Sequence, residues 1–104
     1  MLSETDVRRL ALALPAAVEL AHHGSASFRV DGRIFATLPG TERLRVMLDE
    51  AGIRSAATAW PGVCQEFYWG KRLACIEVDL SAAEESLVRE LLTDAWEGKR
   101  RPDR

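Results

Sequence analysis

Arginine recurs in two stretches of this 104-residue chain: Arg29 and Arg33 flank an Asp31-Gly32 pair, and Arg43 and Arg45 follow a little further on. A row of guanidinium groups suits phosphate oxygens, because each can donate two parallel hydrogen bonds. Lys71 and Arg72 would extend the cationic surface, while Phe35 and Met47 would interleave apolar area, as in sheets that stack bases. Together these residues point to binding of DNA or another anionic ligand. The competing reading is a solvated outer face on which arginine only maintains solubility. The formal net charge of -2 supplies no global attraction for nucleic acid, so such a surface must come from local clustering.

Other residues allow other chemistry. Tyr68 and Trp69, beside Gly70, are aromatics placed to remain exposed. They read as a stacking or partner contact, a homodimer contact included, or as packing against a neighbouring helix. His22 and His23, the two histidines, point to opposite faces if they are adjacent in a strand and so do not chelate one ion. Glu19 joins His22 only in a helix. No metal or other cofactor is expected. His23 with Ser27 and Arg29 would line a small-molecule pocket. No carboxylate completes a nucleophile–base–orienter set there, so the chain reads as a binding domain rather than an enzyme. Cys64 and Cys75 would face one another across a hairpin turning on Trp69-Gly70. They would be either a cross-strand disulfide or two reduced thiols, the usual state in a cytosol.

The elements that position these residues follow from caps and periodicity. Ser3 and Asp6 form a capping box ahead of Val7, Leu10, Ala11 and Leu14, one face of a helix that Pro15 stops. Residues Ser25 to Leu48 read as strands, with Asp31-Gly32 as a hairpin signal. Two registers compete. A two-residue turn would set Phe28 opposite Phe35 and mix arginine into both faces. A turn over Val30-Asp31 with Gly32 as a bulge aligns Phe28 with Ile34. The second is preferred. It puts Ala26, Phe28, Ile34, Ala36 and Leu38 on the core face, and Ser27, Arg29, Arg33, Phe35 and Thr37 on the other. Arg43 and Arg45 alternate with Leu44, Val46 and Leu48 in the next strand. If Arg29 and Ile34 instead share a face, the four-arginine patch does not form.

A short helix capped by Asp49 carries Ile53, Ala56, Ala57 and Trp60, and Pro61-Gly62 ends it. A hairpin follows from Val63 to Leu80. The last helix has Ser81 and Glu84 as its capping box, Leu87, Val88, Leu91, Leu92, Ala95 and Trp96 as its buried stripe, and Gly98 as its end. The expected fold class is α+β: an antiparallel sheet covered on one face by the N- and C-terminal helices. One domain is expected over 1–98, with a basic, mobile tail over 99–104. The start Met1-Leu2-Ser3-Glu4 lacks a positive region before an apolar stretch, and the run from Leu10 to Val18 is short and broken by Pro15. A cytoplasmic protein without membrane attachment is therefore expected.

The segment from His23 to Leu38, His-Gly-Ser-Ala-Ser-Phe-Arg-Val-Asp-Gly-Arg-Ile-Phe-Ala-Thr-Leu, resembles the central hairpin of YjbR/MmcQ proteins. The ending Leu91-Leu92-Thr93-Asp94-Ala95-Trp96 is similar to that family's last helix, and Ala13-Leu14-Pro15 to its first turn. The resemblance covers roughly residues 4 to 98. It implies a CyaY-like fold and carries a DNA-binding label that is itself a fold-level inference. Two departures stand out. Ala26 replaces the family's usual proline before Ser-Phe. Leu73-Ala74-Cys75-Ile76 occupies the return strand where a tryptophan is common, and Phe67, Tyr68 and Trp69 lie before the turn instead. The acidic ridge through which frataxins bind iron has no counterpart on the first helix, which offers only Glu4 and Asp6 beside Arg8 and Arg9.

Overall fold

Ser3 opens the chain's first helix as its sequence requires. Its hydroxyl accepts from the Asp6 N–H, and the Asp6 carboxylate accepts from the Ser3 N–H, closing the capping box. This computed structural model describes residues 1–102. The elements run α1 (Glu4–Leu12), β1 (Val18–His22), β2 (Ser25–Val30), β3 (Arg33–Leu38), β4 (Arg43–Val46), α2 (Glu50–Ala59), β5 (Cys64–Trp69), β6 (Arg72–Asp79) and α3 (Glu85–Lys99). The strands form one antiparallel sheet in the order β1-β2-β3-β4-β6-β5. The helices lie on one side of it. α3 packs over β2, β3 and β4 and against α1, and α2 packs over β5 and β6. The α+β class holds, with terminal helices over an antiparallel sheet.

The core is the apolar face of each element. Val7, Leu10 and Ala11 of α1, Ile53 and Ala56 of α2, and Leu87, Val88, Leu91, Leu92 and Ala95 of α3 close onto Phe28, Val30, Ala36, Leu44, Ile76 and Val78 of the sheet. Asp49 caps α2 by accepting from the Gly52 N–H. α3 departs from expectation at its start. Ser81 donates to Asp79 rather than capping a helix, and α3 begins after Glu84, which makes no side-chain capping bond. Ser and Asp two residues apart form a local turn, and that turn competes with the cap. Gly98 falls inside α3, which continues to Lys99. β1 was not expected at all. Its outward residues Val18 and Leu20 are half-exposed, so its sequence lacks the buried alternation that marks a strand. The stretch 99–104, expected to be a mobile tail, begins at the last residue of α3. The Arg101 N–H donates to Asp31, and residues 103 and 104 lie outside the described residues.

The first hairpin corrects the expected register. Its turn is the two-residue Asp31-Gly32, with φ of 52° and 78°. Two positive φ values twist the connection to match the strands, and glycine at the second position carries no Cβ penalty. Val30 therefore pairs with Arg33, and Arg29 with Ile34. One step further Phe28 pairs with Ala36, so Phe35 is the extra residue of a bulge inside β3. The bulge exists, but in the strand and not at the turn. Phe35 and Ala36 both enter the core at 0% exposure, and Ile34 faces outward with Arg29.

The register can be read from stability. Phe35→Ala should lower the unfolding free energy by about 3–5 kcal/mol, as for a buried phenylalanine. Ile34→Ala should cost clearly less, because Ile34 is only half-buried. Urea unfolding of both variants checks this; an equal or reversed order would restore the other register.

Candidate nucleic-acid interface

The sheet face away from the helices is open. Following the register across it gives a ladder of Leu20, Ser27, Thr37, Arg45, Glu77 and Gln65. Arg29 and Ile34 lie at one end of that face, and Arg43 with Asp79 at the other. Six strands make the face about 24 Å wide. A trough of about 500 Å³ crosses it, lined by His22 and His23 near one edge, Thr37 and Arg45 in the middle, and Phe67, Trp69 and Arg72 near the other.

The expected four-arginine row is not assembled. Arg29, Arg43 and Arg45 share the open face. Arg33 pairs with Val30, so it belongs to the opposite side, at the exposed end of β3. Phe35 cannot stack on a ligand, because the bulge buries it completely. The two central arginines are also engaged. Arg45 Nε donates to Glu77 Oε2 at 3.0 Å, and its guanidinium lies 3.9 Å over the Phe67 ring. Arg43 reaches Asp79 at 3.2 Å and Glu77 at 3.8 Å. Glu77 is 8% exposed, so its charge is compensated at close range, as a buried carboxylate requires. Hydrogen bonds from Ser81, and then the Arg43 charge, hold the Asp79 carboxyl below the usual carboxylate range.

Arg29, Lys71 and Arg72 carry no ion pair among the described residues; Arg29 donates only to the Ser27 hydroxyl, at 3.2 Å. These three, with Lys99 at the border of the trough and the partly neutralised Arg45, are the cations among the described residues that the open face can offer. Lys71 lies in the Gly70-Lys71 turn, and Arg72 pairs with Trp69 beneath it. Trp69 is 65% exposed and stands 6.1 Å from Phe67 on the same face. Tyr68 and Trp69 do not form one surface. Tyr68 alternates to the helix side, where its hydroxyl donates to Glu66.

The His23–Ser27 pocket is not formed. Ser27 is fully buried, and its hydroxyl donates to the Leu20 carbonyl at 2.8 Å. His23 sits in the β1–β2 turn at φ 52°, with its ring edge-on to His22 at 4.3 Å, and lies at the rim of the trough. Sequence reasoning placed Thr37 on this face but missed Phe67 as a lining residue. The signal for Phe67 is the alternation of β5, which depends on a pairing invisible in the chain. The second hairpin turns on Gly70-Lys71, one residue later than expected. Cys64 consequently pairs with Val78 on the core side, and Cys75 with Phe67 on the open side. Both are free, and burial pushes both thiols up to about 11. Neither supplies a thiolate near neutral pH. A disulfide-exchange reagent such as Ellman's should therefore label neither cysteine in the folded protein and both once urea unfolds it; fast native labelling would contradict this burial.

A family model described as YjbR matches residues 12–98. No curated protein and no solved structure matches the chain.

Proposed function

The chain belongs to the YjbR family, and on that premise we propose that it is a non-enzymatic binding domain that takes nucleic acid, or another anionic ligand, on its open sheet face and second hairpin. The observation that carries the reading is the face itself. It is uncovered by any helix and combines the uncommitted Arg29, Lys71 and Arg72 with the exposed ring of Trp69. Guanidinium and ammonium groups neutralise phosphates, and an exposed indole offers a surface on which any base can stack. The DNA-binding label implied by the resemblance agrees with this reading and adds no residue to it. Two buried free thiols suit the reducing cytoplasm, which is where we place the protein. No helix among the described residues is long and apolar enough to cross a membrane.

Magnitude limits the claim to modest affinity. Arg29, Lys71 and Arg72 together imply a salt slope of about −3 on duplex DNA and about −2 on a single strand, and engagement of Lys99 would steepen each by about one. Glu77 acts as an internal competitor, since it holds Arg45 and Arg43 that would otherwise face phosphate. A second reading, a homodimer joined through the same face, is favoured by the exposed Trp69 with Val18 and Leu20.

Titration of labelled duplex and single-stranded DNA at several salt concentrations tests the first reading. Arg29→Ala and Arg72→Ala should each weaken binding and flatten the salt slope by about one unit, and Glu77→Gln should steepen it. No binding at low salt, or binding unchanged in the double arginine variant, would overturn the proposal. Light scattering on the wild type and Trp69→Ala decides the second: a dimer that Trp69→Ala dissociates supports it, and a strict monomer removes it.

A further inference from the structure

A second concave surface lies on the opposite side of the sheet. α2 rests on β5 and β6, and α3 rests on β2, β3 and β4. Between the two helices runs a groove of about 550 Å³, within the range of built binding pockets. It stays open because α2 presents Gly52, Ser55, Ala56 and Ala59 to it, and none of these reaches across to α3. Leu87 and Leu91 of α3 form its buried floor, and its accessible apolar surface comes from Trp60 at the end of α2, 45% exposed, and from the half-buried Met47 and Leu48.

The groove is acidic: Asp49, Glu90 and Asp94 line it against Lys99. Many carboxylates elsewhere are paired with arginine, from Glu4 and Asp6 on α1 to Glu85 and Glu97 on α3, although Glu42 and Glu84 are not. Glu90 and Asp94 line the groove, one turn apart on α3, and make no ion pair or side-chain hydrogen bond. Like charges at that spacing repel, so the helix bears a small cost there with no internal compensation. The one cation in the lining, Lys99, lies further along α3.

We propose that this groove receives a basic amphipathic helix of a partner protein. The apolar side of that helix would rest on Trp60 and Leu48, and its lysines or arginines would pair with Glu90 and Asp94. Helix-in-groove recognition needs an apolar trough flanked by small residues, so that the incoming backbone can approach, and rim charges that fix orientation. Gly52, Ser55 and Ala59 meet the first need, and the unpaired carboxylates meet the second. Glu90, Asp94, Ser55 and Trp60, on which the inference turns, do not line the trough of the open face, although Met47, Leu48 and Lys99 border both.

The test uses the full chain and a fluorescein-labelled leucine–lysine amphipathic peptide of about 15 residues, long enough to be helical once bound, read by fluorescence anisotropy. Saturable binding is expected. Glu90→Gln with Asp94→Asn should weaken it by about tenfold or more, as loss of two partly desolvated charge pairs implies. Ser55→Trp, at an exposed position that leaves the core intact, should abolish it by filling the groove. Near-ultraviolet circular dichroism confirms that each variant is folded. No binding by the wild type would overturn the proposal. So would equal affinity for a leucine–glutamate peptide, an equal loss in the distant control Glu42→Gln with Glu84→Gln, or unchanged binding in the groove variants.

Discussion

One inserted residue in β3 determines which side chains face the ligand side and which face the core. A strand alternates with period two, so every residue beyond an insertion changes face. The Asp31-Gly32 turn alone would carry Phe28 opposite Phe35 and send Ala36 and Leu38 outward. The bulge at Phe35 corrects the phase, returning Ala36 and Leu38 to the core opposite Phe28 and Ala26. Phe35 itself goes inward, a gain of roughly 1.5–3 kcal/mol for a buried aromatic. The bulge leaves no orphaned carbonyl, because Phe35 O accepts from the Met47 N–H at 2.9 Å. That bond also anchors β4, whose pairing of Arg45 with Thr37 fixes Arg45 on the open face.

The two faces that result have different electrostatics. On the open face Glu77 and Asp79 answer the central arginines, leaving the free cations toward the Arg29 end and the second hairpin. On the helix side, arginine closes the gaps between elements: Arg8 reaches Glu19 on β1, Arg9 reaches Glu85 on α3, and Arg54 reaches Glu66 on β5. Such exposed pairs each add little to stability. Their larger consequence is that most of the arginine in this sequence is unavailable to an anionic partner. A count of basic residues therefore overstates the anion-binding surface.

Features set by short-range chemistry were legible in the sequence. The Ser3–Asp6 box, the Asp49 cap, the apolar stripes of α1 and α3 and the presence of a hairpin at Asp31-Gly32, though not its turn type, each depend on residues within a turn or two of one another. What was not legible depends on distant pairing. The Arg45–Glu77 bond spans 32 positions, and the β1–β2 pairing that makes Val18–His22 a strand is set by its partner and not by its own pattern. The α3 start misled because Ser81 has a nearer acceptor in Asp79 than the backbone it was expected to cap. For the site, only part of the expected juxtaposition forms. Arg29, Arg45, Arg72 and Trp69 share a face, Arg33, Phe35 and Tyr68 leave it by one step of alternation or by the bulge, and Ser27 stays on it but is buried.

The placement of the bulge is open to direct observation. In a two-residue hairpin the closing pair exchanges hydrogen bonds, and the next pair is the close, non-hydrogen-bonded kind, with Cα atoms about 4.5 Å apart. Here that pair is Arg29 and Ile34. Nuclear Overhauser spectroscopy on the labelled protein should show a strong Hα–Hα contact between Arg29 and Ile34, and contact of the Phe35 ring with core methyl groups. A strong Hα–Hα contact between Phe28 and Ile34 in its place, with a solvent-exposed Phe35 ring, would contradict the account and restore the four-arginine face.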